Sequence, residues 1–230
     1  MKQYVNPLIA ACSLMLLPLS FAQASAPSST PNYLQVSYNL SHSTNLSPQA
    51  IAMAFAGYQW ALKTTHVNNK SILTIVDFSV SSAKDRMYVI NVRTGAVLMS
   101  LPVAHGKGSG EGSRWATRFS NSSNSLESSI GVFVTKEPYY GEHGLSLRIK
   151  GLEPSNNNVY DRDVVIHPAN YASRDFIRMV GRAGNSWGCF AVDPEQSSQL
   201  IRLIENGSVM YAYGRSPQYM ASTKILGNTI

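Results

Sequence analysis

Short runs of β-branched and apolar residues recur along most of the chain, and residues that favour turns separate them. Residues 72–80 form one such run, and residues 86–92 and 96–103 flank the turn Arg93-Thr94-Gly95. Further strands are predicted at residues 130–135, 145–149, 164–166 and 208–213. This pattern predicts a mainly β, largely antiparallel domain with a few helices.

Two helices are predicted from their first residues. Ser47 is a favourable N-cap and Pro48 fits the first helical position, and apolar residues then recur at three- and four-residue steps over residues 51–62. The segment Asp193-Pro194-Glu195-Gln196 opens a second helix, which Gly207 is expected to end. The first helix is expected to pack on the sheet.

The N-terminus has the features of an export signal. Lys2 precedes the apolar residues 8–21, and Ala22-Gln23-Ala24 fits a signal-peptidase site. The apolar stretch is shorter than the roughly 20 residues of a membrane span. An alternative is a lipoprotein acylated at Cys12, since residues 9–12 resemble a lipobox. The sequence favours the signal peptide and therefore export to the periplasm or cell envelope.

The predicted division of the chain follows from this signal. The signal peptide is placed at residues 1–24, and a flexible leader rich in Ser, Pro and Asn at residues 25–46. The main domain is placed at residues 47–214 and a loose polar tail at residues 215–230.

Composition narrows the class of protein and its partners. Of the 230 residues, 44% are hydrophobic and 14% are charged, which is typical of a globular protein. The net charge of +6 is scattered without Lys or Arg runs, so nucleic acid is not an expected partner. No His, Asp and Glu grouping has metal-ligand spacing, so neither a metal nor another cofactor is predicted. The oligomeric state stays open.

Cys189 and His167 are the predicted catalytic pair. Removal of the signal peptide leaves Cys189 as the lone cysteine, which is either a reactive thiol or a buried inert one. A free thiol has a pKa of about 8.5 and needs a base at neutral pH. His167 ends an apolar strand 22 residues earlier and can supply that base. Asp163 lies about 13 Å back along an extended strand, so a backbone carbonyl such as that of Pro168 is the better partner for the imidazole.

These residues resemble a known family. His167 followed by Ser186-Trp187-Gly188-Cys189 is similar to the signature of murein L,D-transpeptidase (YkuD-like) catalytic domains. Segments 104–106, 119–121 and 165–167 strengthen the resemblance, which spans about residues 70 to 213. The resemblance implies a β-sandwich or barrel-like catalytic domain that acts on peptidoglycan stem peptides.

The resemblance also implies roles for individual residues. Cys189 would attack the stem-peptide amide before the terminal D-alanine, with His167 as base and the backbone N–H groups of Gly188 and Cys189 as the oxyanion hole. The thioester would pass to an amine, giving a crosslink, or to water, giving a carboxypeptidase. Substrate-binding roles are expected for Trp187, Ser186, His105 and Arg182.

The chain departs from the family pattern at three positions. Trp187 stands where the wider family has a second histidine, and Ala191 stands where it has an arginine that could hold a carboxylate. Phe190 occupies a position associated with proline in the nearer branch. Arg182 or Arg178 is a possible substitute for the missing arginine. Two alternatives therefore stay open: a sortase-like or other cysteine peptidase, and a catalytically inactive wall-binding module.

Overall fold

A computed structural model describes Met1 and residues 32–227, so the predicted signal peptide and Cys12 lie outside the described residues. The helices are α1 (Tyr33–Ser43), α2 (Pro48–Thr64), α3 (Lys107–Gly110), α4 (Arg174–Val180), α5 (Pro194–Ile204) and α6 (Pro217–Ser222), with a 3-10 turn at Asn170–Ala172. The strands are β1 (Asn69–Asp77), β2 (Met87–Asn91), β3 (Val97–Leu101), β4 (His105–Gly106), β5 (Gly131–Gly141), β6 (Gly144–Gly151), β7 (Val165–Pro168), β8 (Asn185–Ser186), β9 (Phe190–Val192) and β10 (Ser208–Tyr213).

Eight strands form one sheet in the order β3-β2-β1-β10-β5-β6-β7-β9, while β4 and β8 form a separate parallel pair. Within the large sheet, β1–β10 and β7–β9 are parallel and the other neighbours are antiparallel. The two edges approach each other, because Val103, just after β3, bridges to Val192 on β9. The Ala104 N–H also donates to the Ala191 carbonyl at 2.8 Å. The prediction of a mainly β, barrel-like domain is confirmed.

Helix α2 covers one face of this sheet and begins as predicted. The Ser47 side chain accepts from the Ala50 N–H, which satisfies one of the free amides of the first turn. The buried residues of α2 pack against β1, β5 and β10. Helix α5 begins at the predicted cap, Asp193, but ends at Ile204 rather than continuing to Gly207. Among the described residues, no helix is long and apolar enough to cross a membrane.

Both segments predicted to be loose contain helices. Residues 33–43 of the predicted leader form α1, in which Val36 and Leu40 are buried one turn apart. In the predicted polar tail, α6 buries Tyr219, whose hydroxyl donates to the buried Glu153 carboxylate at 3.0 Å. The prediction of loose structure is wrong for residues 33–43 and 217–222, because Val36, Leu40 and Tyr219 join the main hydrophobic core.

The aromatic residue after Cys189 anchors this segment in the core. Phe190 is fully buried, and its ring stacks on Phe78 at 5.8 Å between centroids. It also meets Phe133 edge-on at 5.7 Å. Such aromatic contacts add to the stability gained from burial. The position associated with proline in related proteins therefore holds a core residue in this chain.

Candidate active site

The parallel pair β7–β9 brings Cys189 and His167 into the same part of the fold. His167 on β7 pairs with Ala191 on β9. Cys189 lies in the bend that directly precedes β9, two residues before Ala191. The fold therefore unites two residues that are 22 positions apart in the sequence.

The imidazole of His167 is fixed in the tautomer that a general base needs. Its Nδ1 lies 2.9 Å from the Pro168 carbonyl oxygen. A carbonyl can only accept, so Nδ1 carries the proton and Nε2 has a free lone pair. Burial lowers the pKa of His167, partly opposed by this carbonyl, so the ring is neutral at neutral pH. The predicted role of Pro168 in orienting the ring is confirmed.

A second histidine contacts the first one from the β5–β6 turn. The His143 ring stacks on His167 with 4.3 Å between centroids and 22° between planes. Its charge is a further factor that lowers the pKa of His167. From its sequence context, His143 is expected to be an ordinary turn residue. The turn assignment is correct, but the contact with His167 was missed because strands β5 and β6 extend beyond their predicted ends.

The Cys189 thiol is free and partly buried. Its Sγ donates to the Asp163 carbonyl at 3.6 Å, and the described structure contains no hydrogen bond between Sγ and His167. Burial raises the pKa of the thiol, while the Val165 backbone N–H and the Arg162 charge act in the opposite direction. Nucleophile–base hydrogen bonds are often long in unliganded enzymes and shorten when substrate binds.

Ser186 shapes the turn that carries Cys189. Its hydroxyl donates to the Cys189 carbonyl at 2.7 Å and accepts from the Gly188 N–H at 3.2 Å. Gly188 has φ of 125°, a conformation that favours glycine. The Ser186 hydroxyl is therefore engaged within the turn rather than facing a substrate, contrary to the prediction. The Gly188 N–H is engaged too, so its predicted role as an oxyanion donor requires the turn to rearrange.

His105 is placed below the surface, which does not fit the predicted substrate contact. It is 0% exposed, and Arg86 Nη2 donates to its Nδ1 at 2.9 Å. Its Nε2 lies 3.2 Å from the Gly110 carbonyl. Burial, followed by the charge of Arg86, lowers the pKa of His105 to about 4. Because β4 pairs with β8, this histidine supports the strand that leads to Ser186.

Trp187 lies at the surface beside the nucleophile. Its side chain is 79% exposed and lines a groove of about 240 Å³ with Leu126, Arg162 and Asp163. Leu126 and Asp163 adopt φ of 57° and 51°, values uncommon for residues with side chains. Such conformations cluster at functional sites, which is consistent with the predicted substrate role of Trp187.

Arg182 and Arg178, the possible substitutes for the arginine missing at Ala191, interact with groups other than the Cys189 thiol. Arg182 donates to the Ala183 carbonyl at 3.0 Å, and its charge acts on His105. Arg178 pairs with Asp175 on exposed α4. The guanidinium whose charge interacts with the Cys189 thiol belongs to Arg162. Cys189 also contributes to the raised pKa of the Tyr171 phenol. Sequence reasoning missed both, because neither lies in a recognisable motif. Over the described residues, no group of three or more His, Cys, Asp or Glu side chains could hold a metal ion.

Comparisons with known proteins identify the family of this chain. The family model described as L,D-transpeptidase catalytic domain matches residues 42–213. An L,D-transpeptidase from Mycobacterium smegmatis is similar in structure, with 14% identity, a TM-score of 0.40, and coverage of 63% of this chain and 59% of that one. An L,D-transpeptidase from Stackebrandtia nassauensis shows 12% identity and a TM-score of 0.37, with coverage of 73% and 67%. No curated protein matches the chain.

The family model covers three quarters of the sequence, including Cys189, His167 and every strand of the large sheet. The chain belongs to the L,D-transpeptidase catalytic domain family.

Proposed function

We propose that the chain is an exported cysteine enzyme that cuts the stem-peptide amide before the terminal D-alanine and transfers the acyl group to an amine. The observation that carries this proposal is the tautomer of His167, which leaves the Nε2 lone pair available on the strand that pairs with the segment directly after Cys189. Peptidoglycan in the periplasm or cell envelope is the proposed substrate, in keeping with the family.

The proposed reaction begins with the transfer of the Cys189 proton to Nε2 of His167. The thiolate attacks the carbonyl carbon of the L-centre, and the amide C–N bond of the tetrahedral intermediate then breaks. His167 returns the proton to the departing D-alanine amine, which leaves a thioester. An acceptor amine attacks the thioester, its proton passes to His167, and cleavage of the C–S bond restores the thiol. Water as acceptor would give an L,D-carboxypeptidase instead.

The geometry assigns a further task to substrate binding. The thiol points to the Asp163 carbonyl and the Gly188 N–H to Ser186. Substrate must therefore turn Sγ towards His167 and free an amide for the developing oxyanion. Trp187, exposed beside this turn, is the proposed contact that couples binding to the rearrangement.

A second candidate function is a wall-binding module without catalytic activity. The absence of a Cys189–His167 hydrogen bond in the described residues favours it. The family match over residues 42–213 argues against the sortase-like alternative.

Defined tetrapeptide-stem fragments, analysed by mass spectrometry, distinguish these functions. The mature protein should release D-alanine, and the Cys189→Ala variant should release none. The His167→Ala variant should lose at least about 100-fold in rate, since general base catalysis contributes roughly that much. Dimeric products indicate transfer, whereas tripeptides alone indicate hydrolysis. Undiminished release by Cys189→Ala would exclude the proposed nucleophile, and binding without release by the unaltered protein would favour the module.

A further inference from the structure

Arg162 is the centre of a hydrogen-bond cluster that the proposed chemistry does not use. Its Nη1 donates to the Ser120 carbonyl at 2.9 Å and to Ser129 Oγ at 2.7 Å. Its Nη2 donates to the Glu127 carbonyl at 2.9 Å and to Ser125 Oγ at 3.2 Å. All four acceptors lie between residues 120 and 129, so one guanidinium fixes this whole loop.

The same guanidinium lies against the turn that carries the nucleophile. A Cβ built on Gly188 would lie 3.5 Å from Arg162 Nη2 and 3.0 Å from the Glu127 carbonyl. Arg162 also directly precedes Asp163, whose carbonyl accepts from the Cys189 thiol. The guanidinium and the loop therefore lie next to the Cys189 turn.

The charge of Arg162 has no direct partner. Its acceptors are uncharged, and within residues 32–227 it forms no ion pair with a carboxylate. The side chain of Glu127 pairs instead with Arg118, with 3.5 Å between Nε and Oε1. Water and a counter-ion screen such a half-buried charge less than they screen an exposed, paired one. It therefore interacts more strongly with a neighbouring group.

We propose that Arg162 is a positioning residue that holds the 120–129 loop against the Cys189 turn and supplies the positive charge that favours the thiolate. This inference rests on Cys189 being the proposed nucleophile. Arg162 would supply the positive charge that Ala191, at the position of the family arginine, cannot supply. Arg162 lies in the connection between β6 and β7, whereas Ala191 lies on β9. Arginine suits both tasks, because its planar group donates several hydrogen bonds at once and keeps its charge.

The other titratable and charged groups around the thiol do not supply this charge. Asp163 is an anion, His167 is neutral at the working pH, and the Tyr171 phenol has its pKa raised to about 12 by burial and by Cys189. The Glu127 carboxylate is an anion that pairs with Arg118. Arg162 is thus the cation whose charge lowers the pKa of the thiol.

The test measures alkylation of Cys189 by iodoacetamide as a function of pH in the full-length protein. Arg162→Gln should shift the profile to higher pH and slow alkylation at pH 7 about three- to tenfold. Arg162→Lys keeps the charge and should leave the profile in place, while proteolysis within residues 120–129 becomes faster. Arg118→Gln is the matched control, because it removes a guanidinium that binds Glu127 and the Gly108 carbonyl in the same region.

A profile for Arg162→Gln that coincides with that of Arg118→Gln would overturn the proposal, as would equal shifts for the lysine and glutamine variants. If circular dichroism shows that Arg162→Gln does not fold, the lysine variant decides: an unshifted profile with faster loop cleavage supports the proposal, and any other result overturns it. Iodoacetamide needs no peptidoglycan, so this result is independent of whether stem peptides are the substrate.

Discussion

Acid should destabilise this domain through His105, which is fully buried and bonded at both ring nitrogens. Arg86 donates to Nδ1, so the single proton of the neutral ring is on Nε2 and points to Gly110. A second proton would occupy the lone pair that accepts from a guanidinium. The folded protein therefore resists protonation of His105 more than the unfolded chain does.

The size of the effect follows from the two pKa values. The pKa of His105 falls from 6.5 to about 4 on folding. Above pH 6.5 both states are neutral at this residue and the stability is intact; as the pH falls through 6.5 only the unfolded state takes up the proton. Stability is lost down to about pH 4, at about 1.4 kcal/mol per pH unit, which gives about 3 kcal/mol in all.

Urea unfolding at several pH values between 7 and 4.5 measures this loss. The His105→Asn variant keeps an acceptor for Arg86 but cannot titrate. It should be less stable at pH 7 by about 1–3 kcal/mol, because the bond to Gly110 is lost. Its stability should nevertheless fall less on acidification, by about 2 kcal/mol or more. His66→Asn, at an exposed position, is the control, and parallel pH dependence in both variants would refute the reasoning.

Two further predictions concern the surroundings of the catalytic pair. Phe190→Ala should lower the free energy of unfolding by about 3–5 kcal/mol, because it leaves a cavity between Phe78 and Phe133. If urea unfolding shows a loss of free energy below about 1 kcal/mol, this ring does not anchor the core. His143→Asn removes the ring that lowers the pKa of His167, so the acidic limb of the kcat/KM profile should move to higher pH; an unmoved limb would contradict the electrostatic effect of the stacked pair.

The fold was predictable where the sequence pattern is local. Strand β10 coincides with its predicted run, and the caps Ser47 and Asp193 begin their helices as expected. Strands β5 and β6 extend beyond the predicted runs, because their outer residues gain order from pairing with each other rather than from apolar character. The approach of β3 to β9 joins residues far apart in the chain, so no local pattern could indicate it.

In the candidate site, too, features set by the local sequence were predictable and those set by long-range contacts were not. The hydrogen-bond partner of the His167 imidazole was predictable, since the strand end offers a backbone carbonyl, whereas the roles of Cys189 and His167 stay predictions. Ser186 and His105 were predicted to contact substrate, but their polar atoms are used inside the protein. Arg162 and Tyr171 interact with Cys189 only because the fold brings them close to it. Residue type alone does not reveal whether a polar side chain forms hydrogen bonds inside the protein or faces solvent.

The bridge between Val103 and Val192 restricts how a peptide can reach Cys189. Strand β9 ends the sheet order, yet its outer edge is occupied, because the Ala191 carbonyl accepts from the Ala104 N–H and Val192 bridges to Val103. With these main-chain groups already bonded, an extended ligand cannot simply add as a further strand beside β9. Under the proposed function, recognition would then rely on side chains and loops such as the proposed contact Trp187, rather than on backbone pairing along β9.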